Sequence, residues 1–167
     1  MELTEAIRKR RSVRKYRDEA VPAEVLEELL NLACWAPSAE NEQPWYYVAL
    51  TSAEALQELQ ETMQFVADDM KVHLEELLPR HPRIVGQTTD FLRRLGGAPV
   101  CILVFLQKDY GPLRETMLES VAASIQTMLL LQVSWAIASA RVKKHMMLSA
   151  HTAILQVCAQ FKIFTTI

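Results

Sequence analysis

An uncharged stretch near the C-terminal end of the sequence places the tightest limit on how this chain folds. Residues 120–140 carry no formal charge, and 21 residues are enough for a helix to cross a lipid bilayer. Seven polar side chains interrupt the stretch: Ser120, Ser124, Gln126, Thr127, Gln132, Ser134 and Ser139. In hydrocarbon these groups would need hydrogen-bond partners that a lone helix does not supply. We therefore predict no membrane span, but a helix buried among protein neighbours or at a subunit interface.

The remaining pattern predicts one α+β domain over residues 1–167, dominated by helices and containing a few strands. Apolar periodicity predicts helices over Leu3–Lys9, over Pro22–Trp35 and from residue 113 to about Ala138. It also predicts a helix from Ser52 to about Met63 that continues helically over Phe65–Leu78 and is closed by Pro79 and Pro82. Aromatic, β-branched or continuously apolar runs predict strands over Trp45–Leu50 and Ala98–Leu106. Residues 113–167 contain neither glycine nor proline, so the part after Ala138 is predicted helical by default.

Cysteine and histidine placement bears on compartment and on metal binding. The three cysteines are far apart and form no Cys-x-x-Cys pair, and the four histidines lack metal-ligand spacing. The N-terminal residues form a charged amphipathic segment rather than a signal peptide. These features predict a reduced, cytoplasmic protein without a metal site.

Positive charge is concentrated near the N-terminus, although the formal net charge is only −2. Seven of the ten residues 8–17 are basic, so the first 17 residues carry +5 and the other 150 carry −7. This asymmetry indicates a local anionic ligand. A solvated basic helix end is the simpler alternative, and nucleic-acid binding is disfavoured because the acidic remainder would repel a duplex.

Two short motifs carry the chemistry. In Arg10-Arg11-Ser12-Val13-Arg14, residues 10 and 14 point the same way in a helix or in an extended chain. Their guanidinium groups suit phosphate oxygens and polarised carbonyls. In residues 36–45, Ala-Pro-Ser-Ala-Glu-Asn-Glu-Gln-Pro-Trp, two prolines bracket a hydroxyl and two amides that can recognise the edge of a heterocycle.

Together these motifs resemble the start of the nitroreductase-like flavoprotein family. There, Arg-Arg-Ser-x-Arg is followed by a helix and then by Ala-Pro-Ser and Asn-x-Gln-Pro-Trp, in the order and spacing found here. Gly97-Ala98-Pro99-Val100 before a strand, and residues 119–123 opening a long helix, are similar to the next two landmarks. The resemblance covers residues 2 to about 133.

The resemblance implies a nitroreductase-like α+β fold with a small central sheet, in a homodimer whose core is the long helix and whose interface holds FMN. Arg10, Arg11, Ser12 and Arg14 would contact the FMN phosphate, ribityl chain and ring edge. Pro37 and Ser38 would lie along the ring, largely from the partner subunit, and Asn41 would hydrogen-bond it. Gln43 would fix the loop, and Trp45 would belong to the core rather than stack on the cofactor. NADH or NADPH would deliver hydride, and a nitroaromatic, quinone or similar small molecule would accept electrons in a ping-pong reaction. No catalytic side chain is implied.

Residues 134–167 depart from the family pattern. The resemblance implies a glycine-containing loop facing flavin N5, then a strand and a basic residue, and none of these is recognisable in the sequence. Residues 141–167 contain four Lys and Arg but no acid. We hypothesise a frameshifted or truncated tail, with a divergent short subfamily as the alternative. A non-catalytic or degenerate flavin-binding paralogue is accordingly the second functional interpretation.

Overall fold

The computed structural model describes the backbone of residues 2–138 and 152–156, and the side chains of residues 2–135. Its helices and strands are α1 (Leu3–Lys9), α2 (Ala23–Ala33), β1 (Trp45–Leu50), α3 (Ala53–Leu77), α4 (Pro82–Arg94), β2 (Val100–Leu106), α5 (Arg114–Ala138) and β3 (Thr152–Gln156). The predicted helix-dominated α+β class is confirmed.

The three strands form one sheet in the order β1-β2-β3, with β2 in the centre. β1 runs antiparallel to β2, so that Trp45 lies opposite Leu106 and Leu50 lies opposite Cys101. β3 pairs with β2 in parallel. Because of the antiparallel pairing, the residues that precede β1 lie beside the end of β2.

Both faces of β2 are covered, which explains its continuous run of apolar residues. Val100, Ile102 and Val104 pack with α2 and α5 in the main core. Cys101 and Leu103 face the other way and pack with Tyr16 and with the first half of α3. α3 and α4 pack against each other as a helical hairpin, tied by an ion pair between Asp68 and Arg93.

α5 is the central helix of the protomer. It contacts α1, α2 and both strands of the β1–β2 pair, and Ser124 and Met128 are fully buried. By length and composition alone the segment Gly111–Trp135 also passes the test for a membrane span, as the core helices of soluble proteins do. The packing against α2 and the sheet agrees with the prediction of a helix buried among protein neighbours.

Most predicted elements are confirmed, and two predictions need correction. α1 and β1 have the predicted bounds, and Ser52 caps α3 by accepting a hydrogen bond from the Ala55 N–H at 3.2 Å. α4 is a correction: the sequence pattern indicates that Pro79 and Pro82 end a helix, whereas Pro82 begins one. The expectation of helix after Ala138 is wrong for residues 152–156, which form β3. The other residues of that tail lie outside the described part of the chain.

The burial of Cys101 makes a testable contribution to stability at high pH. The apolar core disfavours the thiolate and raises the pKa of Cys101 from 9.0 to about 12. Because the folded pKa is the higher one, this contribution is complete below pH 9 and is lost as the pH rises towards 12. We expect Cys101→Val to remove this component, at most about 4 kcal/mol.

The measurement compares the free energy of unfolding of the two proteins by urea denaturation at about pH 8 and about pH 11. Other titrating groups are common to both proteins and cancel in the difference. An equal alkaline loss in both would show that the thiol does not contribute.

Candidate functional site

The arginine segment, Arg10–Arg14, leaves α1 as an exposed, non-helical chain. Arg10 ends the helix with φ −55° and ψ 130°. The segment is not helical, so the helical one of the two conformations considered in the sequence analysis does not apply.

Arg11 is held differently from the other two arginines. Its Nη1 donates to the carbonyl oxygens of Arg8 and Arg10, both at 2.8 Å, and so satisfies the backbone at the end of α1. Arg14 Nη1 reaches the Ser12 carbonyl oxygen only at 3.5 Å. The Arg10 and Arg14 side chains are therefore the ones best placed to bind a ligand.

The segment is attached at the start of β2 through Gly96. The Tyr16 N–H donates to the Gly96 carbonyl oxygen at 3.0 Å. A Cβ on Gly96 would lie 2.8 Å from the Arg14 carbonyl oxygen and 2.8–2.9 Å from the Tyr16 ring. Gly96 also has φ +67°, a backbone region that favours glycine. Only glycine therefore lets the two chain segments approach this closely.

The amide loop, Pro37–Gln43, is a compact turn with an unusual backbone. Glu40, Asn41 and Gln43 all have positive φ, between 49° and 55°. The Ser38 carbonyl oxygen accepts from the Asn41 N–H at 3.1 Å, and Ser38 Oγ accepts from the Gln43 N–H at 3.0 Å. Three left-handed residues without glycine cost conformational energy, and such strain is common where a loop presents groups to a ligand.

The amide loop is attached to α5 and to the end of β2. The Ala39 N–H donates to Ser120 Oγ at 3.2 Å, and the Gln107 N–H donates to the Pro44 carbonyl oxygen at 3.0 Å. Lys108 Nζ lies 2.9 Å from Glu42 Oε1. Gln43 Nε2 donates to Asn41 Oδ1 at 3.4 Å, which agrees with its predicted role in fixing the loop.

Replacing Ser120 with alanine tests the attachment to α5. Ser120 is nearly buried, and its hydroxyl both donates to the Thr116 carbonyl oxygen and accepts from the loop. We expect a loss of about 1 kcal/mol in the free energy of unfolding. Thr127→Ala is the matched control, because Thr127 Oγ1 likewise donates to the carbonyl four residues earlier on α5 but holds no loop. Equal hydrogen exchange at Ala39 and Asn41 in both variants would contradict the role of Ser120.

The two motifs lie at opposite ends of β2 within one chain. The arginine segment is attached beside Gly96, before the strand begins, and the amide loop is attached at Gln107 and Lys108, after it ends. A seven-residue strand spans roughly 20 Å. Among residues 2–135, no hydrogen bond or ion pair joins the two motifs. The contacts of one protomer thus attach the two motifs at different points along β2.

Several residues that hold the two motifs in place were not identified from the sequence. These residues are Tyr16, Lys108 and Ser120. The only sequence feature that pointed to any of their contacts was the Gly96-Gly97 pair before a predicted strand. Trp45 is core, as predicted, with 5% of its surface exposed. Within residues 2–135 no group of His, Cys, Asp and Glu is placed to hold a metal ion.

Comparison with known proteins identifies relatives of this chain. The model of the Nitroreductase family matches residues 7–161, which extends past residue 133. An NADH dehydrogenase of Thermus thermophilus is 34% identical over 97 residues, covering 49% of this chain and 46% of that protein. The matched stretches span only 32–50% of the length of the first curated relatives.

Solved structures agree with the fold. A nitroreductase-like family protein from Bacillus cereus superposes with a TM-score of 0.55 at 26% identity, covering 81% of this chain and 65% of that one. An FMN- and NADPH-dependent nitroreductase from Sphigopyxis sp. strain HMH superposes with a TM-score of 0.61, covering 80% and 71% of the two chains. At 24% identity, the second likeness concerns the fold alone.

Proposed function

Because the chain belongs to the nitroreductase family, we propose that it is an FMN-dependent NAD(P)H oxidoreductase that works as a homodimer. The observation that carries the proposal is the placement of the arginine segment and the amide loop at opposite ends of β2. Two copies related by a twofold axis can place the arginine segment of one protomer against the amide loop of its partner, which forms two equivalent sites in each dimer.

The groups that the chain offers fit FMN. Arg10 and Arg14 are the side chains for a phosphate dianion, since guanidinium groups bind phosphate oxygens through paired donors. Ser12 adds a hydroxyl to the same segment, and Arg11 supports the segment through the α1 carbonyls. From the partner, Pro37 and Ser38 would line the ring, and the Asn41 amide would meet its polar edge.

When bound, FMN supplies the hydride chemistry between NADH or NADPH and a small electron acceptor. The chain's contribution is binding, orientation and charge. The guanidinium groups of Arg10 and Arg14 would offset the negative charge of the phosphate. The amide loop is held by its own hydrogen bonds, from the Asn41 N–H to the Ser38 carbonyl oxygen and from the Gln43 N–H to Ser38 Oγ, so little ordering is needed on binding. No side-chain nucleophile or general base is required.

Exposed apolar residues near both motifs in the sequence support a second copy as the partner. Leu3 and Ile7 on α1 are 65% and 55% exposed, beside the arginine segment. Trp35, two residues before the amide loop, is 85% exposed. Large apolar side chains exposed around a site indicate an interface.

We propose nitroaromatics, quinones and similar planar molecules as acceptors, and a soluble, cytoplasmic location. Planar acceptors suit a cleft that is lined by a flat ring and the proline-framed loop. α5 would then form the core of the dimer. The basic segment would be occupied by the phosphate, which leaves no role for nucleic acid.

The experiment is a spectroscopic titration of the purified chain. We expect FMN to be retained through gel filtration at the mass of a dimer, its visible absorption to bleach with NADPH, and the colour to return with a quinone or nitroaromatic. Retained colour without bleaching would favour the non-catalytic flavin-binding interpretation. A protein that binds no FMN would overturn the proposal.

A further inference from the structure

We propose that Tyr16 is a positioning residue that holds the arginine segment in place and so makes the protein prefer phosphorylated over unphosphorylated flavin. This inference rests on the proposed function, because it assumes that the segment binds the FMN phosphate. Tyr16 itself contacts no ligand in this account. It acts through the backbone on both sides of Arg14.

Three contacts of Tyr16 restrain the segment. Its hydroxyl donates to the Val13 carbonyl oxygen at 3.1 Å, and its N–H donates to the Gly96 carbonyl oxygen at 3.0 Å. Its ring packs beside Leu95 and Cys101, in the apolar cluster between β2 and α3. The Tyr16 side chain is half-buried, and this burial, with a smaller contribution from the nearby Cys101, raises its pKa.

The hydroxyl closes a short turn in an otherwise exposed chain. Val13, Arg14 and Lys15 are all exposed, so few other contacts restrain them. With the Val13 carbonyl oxygen bonded to the hydroxyl and the Arg14 carbonyl against Gly96, the backbone of Arg14 is restrained on both sides. A segment that is ordered in advance loses less conformational entropy when it binds phosphate.

The test is the affinity of Tyr16→Phe for FMN and for riboflavin, measured by quenching of flavin fluorescence. The variant keeps the ring and loses only the hydroxyl. We expect the Kd for FMN to rise roughly three- to tenfold, while the Kd for riboflavin, which lacks the phosphate, stays the same. Thr62→Val is the matched control, because Thr62 also donates to a backbone carbonyl at 3.1 Å but lies on α3.

Trypsin provides a second readout that does not depend on flavin. The segment and its flanks hold seven Lys and Arg among residues 8–17, so cleavage reports how well this stretch is held. We expect Tyr16→Phe to be cut several-fold faster there than the unaltered chain or Thr62→Val, at an unchanged midpoint of urea unfolding. Tyr16→Ala, which also loses the ring packing, should be cut faster still.

The outcomes separate this inference from the proposed function. If the unaltered chain binds FMN but Tyr16→Phe keeps the same ratio of the two Kd values, the inference is overturned and the proposed function stands. Unchanged cleavage in Tyr16→Phe also overturns it. If the unaltered chain binds no FMN, the proposed function fails, and faster cleavage would still support a positioning role for Tyr16.

Discussion

Replacing Arg10 and Arg14 together with alanine is expected to weaken FMN binding by at least roughly a hundredfold, because two charge-assisted contacts to the phosphate are lost. The stability of the chain should be nearly unchanged, since both residues lie outside the helices, at and beyond the end of α1. The affinity is measured by fluorescence titration, and stability by urea denaturation of the same samples.

The matched control is Lys15→Ala with Arg17→Ala, which removes the same amount of positive charge from the same stretch. Arg17 lies 3.8 Å from Glu19 in an exposed ion pair, which contributes little to stability. A general loss of attraction would weaken FMN binding equally in both double variants. That equality would contradict specific contacts from Arg10 and Arg14.

Gly96→Ala is the single substitution with the largest expected effect on both stability and binding. The new Cβ would lie 2.8 Å from the Arg14 carbonyl oxygen and would need φ +67°, so backbone strain and steric repulsion add. We expect a loss of about 2–4 kcal/mol in the free energy of unfolding. Because relief of the repulsion moves Arg14, the affinity for FMN should fall in the protein that remains folded.

Gly97 provides an internal control that separates backbone strain from steric repulsion, the two causes of the effect expected at Gly96. It has φ +73°, yet a Cβ there would meet no atom within 4 Å. Gly97→Ala should therefore cost only about 1 kcal/mol from the unfavourable backbone, and FMN binding should be retained. If the two alanine variants behaved alike, the close approach of Gly96 to the arginine segment would have no functional importance.

The sequence predicted the elements whose patterns are set locally. α1, β1 and α5 follow from their apolar periodicity or composition, and Ser52 is a regular N-cap. α4 could not be separated from a loop, because Pro79 and Pro82 mark a helix end and a helix start equally well. β3 is defined by its pairing with β2, and a short apolar run without turn residues does not distinguish a strand from a helix.

The candidate site was predictable in its residues but not in its arrangement. Arg10, Ser12, Arg14 and the amides between two prolines were identified because their chemistry and spacing are local features. The attachment of the amide loop to Ser120 joins residues 81 positions apart, and the contact of Gly96 with Arg14 depends on packing around β2. Such long-range contacts place the two motifs at opposite ends of one strand.

The central claim, that each FMN lies between the arginine segment of one protomer and the amide loop of its partner, can be tested by complementation. Arg10→Ala/Arg14→Ala lacks a working segment, and Ser38→Ala/Asn41→Gly lacks the loop groups while glycine tolerates the positive φ of Asn41. After subunit exchange of an equal mixture, each heterodimer holds one intact site, so FMN binding should return to about a quarter of the normal stoichiometry. If the exchanged mixture bound no more FMN than the two variants measured separately, the site would not be built from two chains.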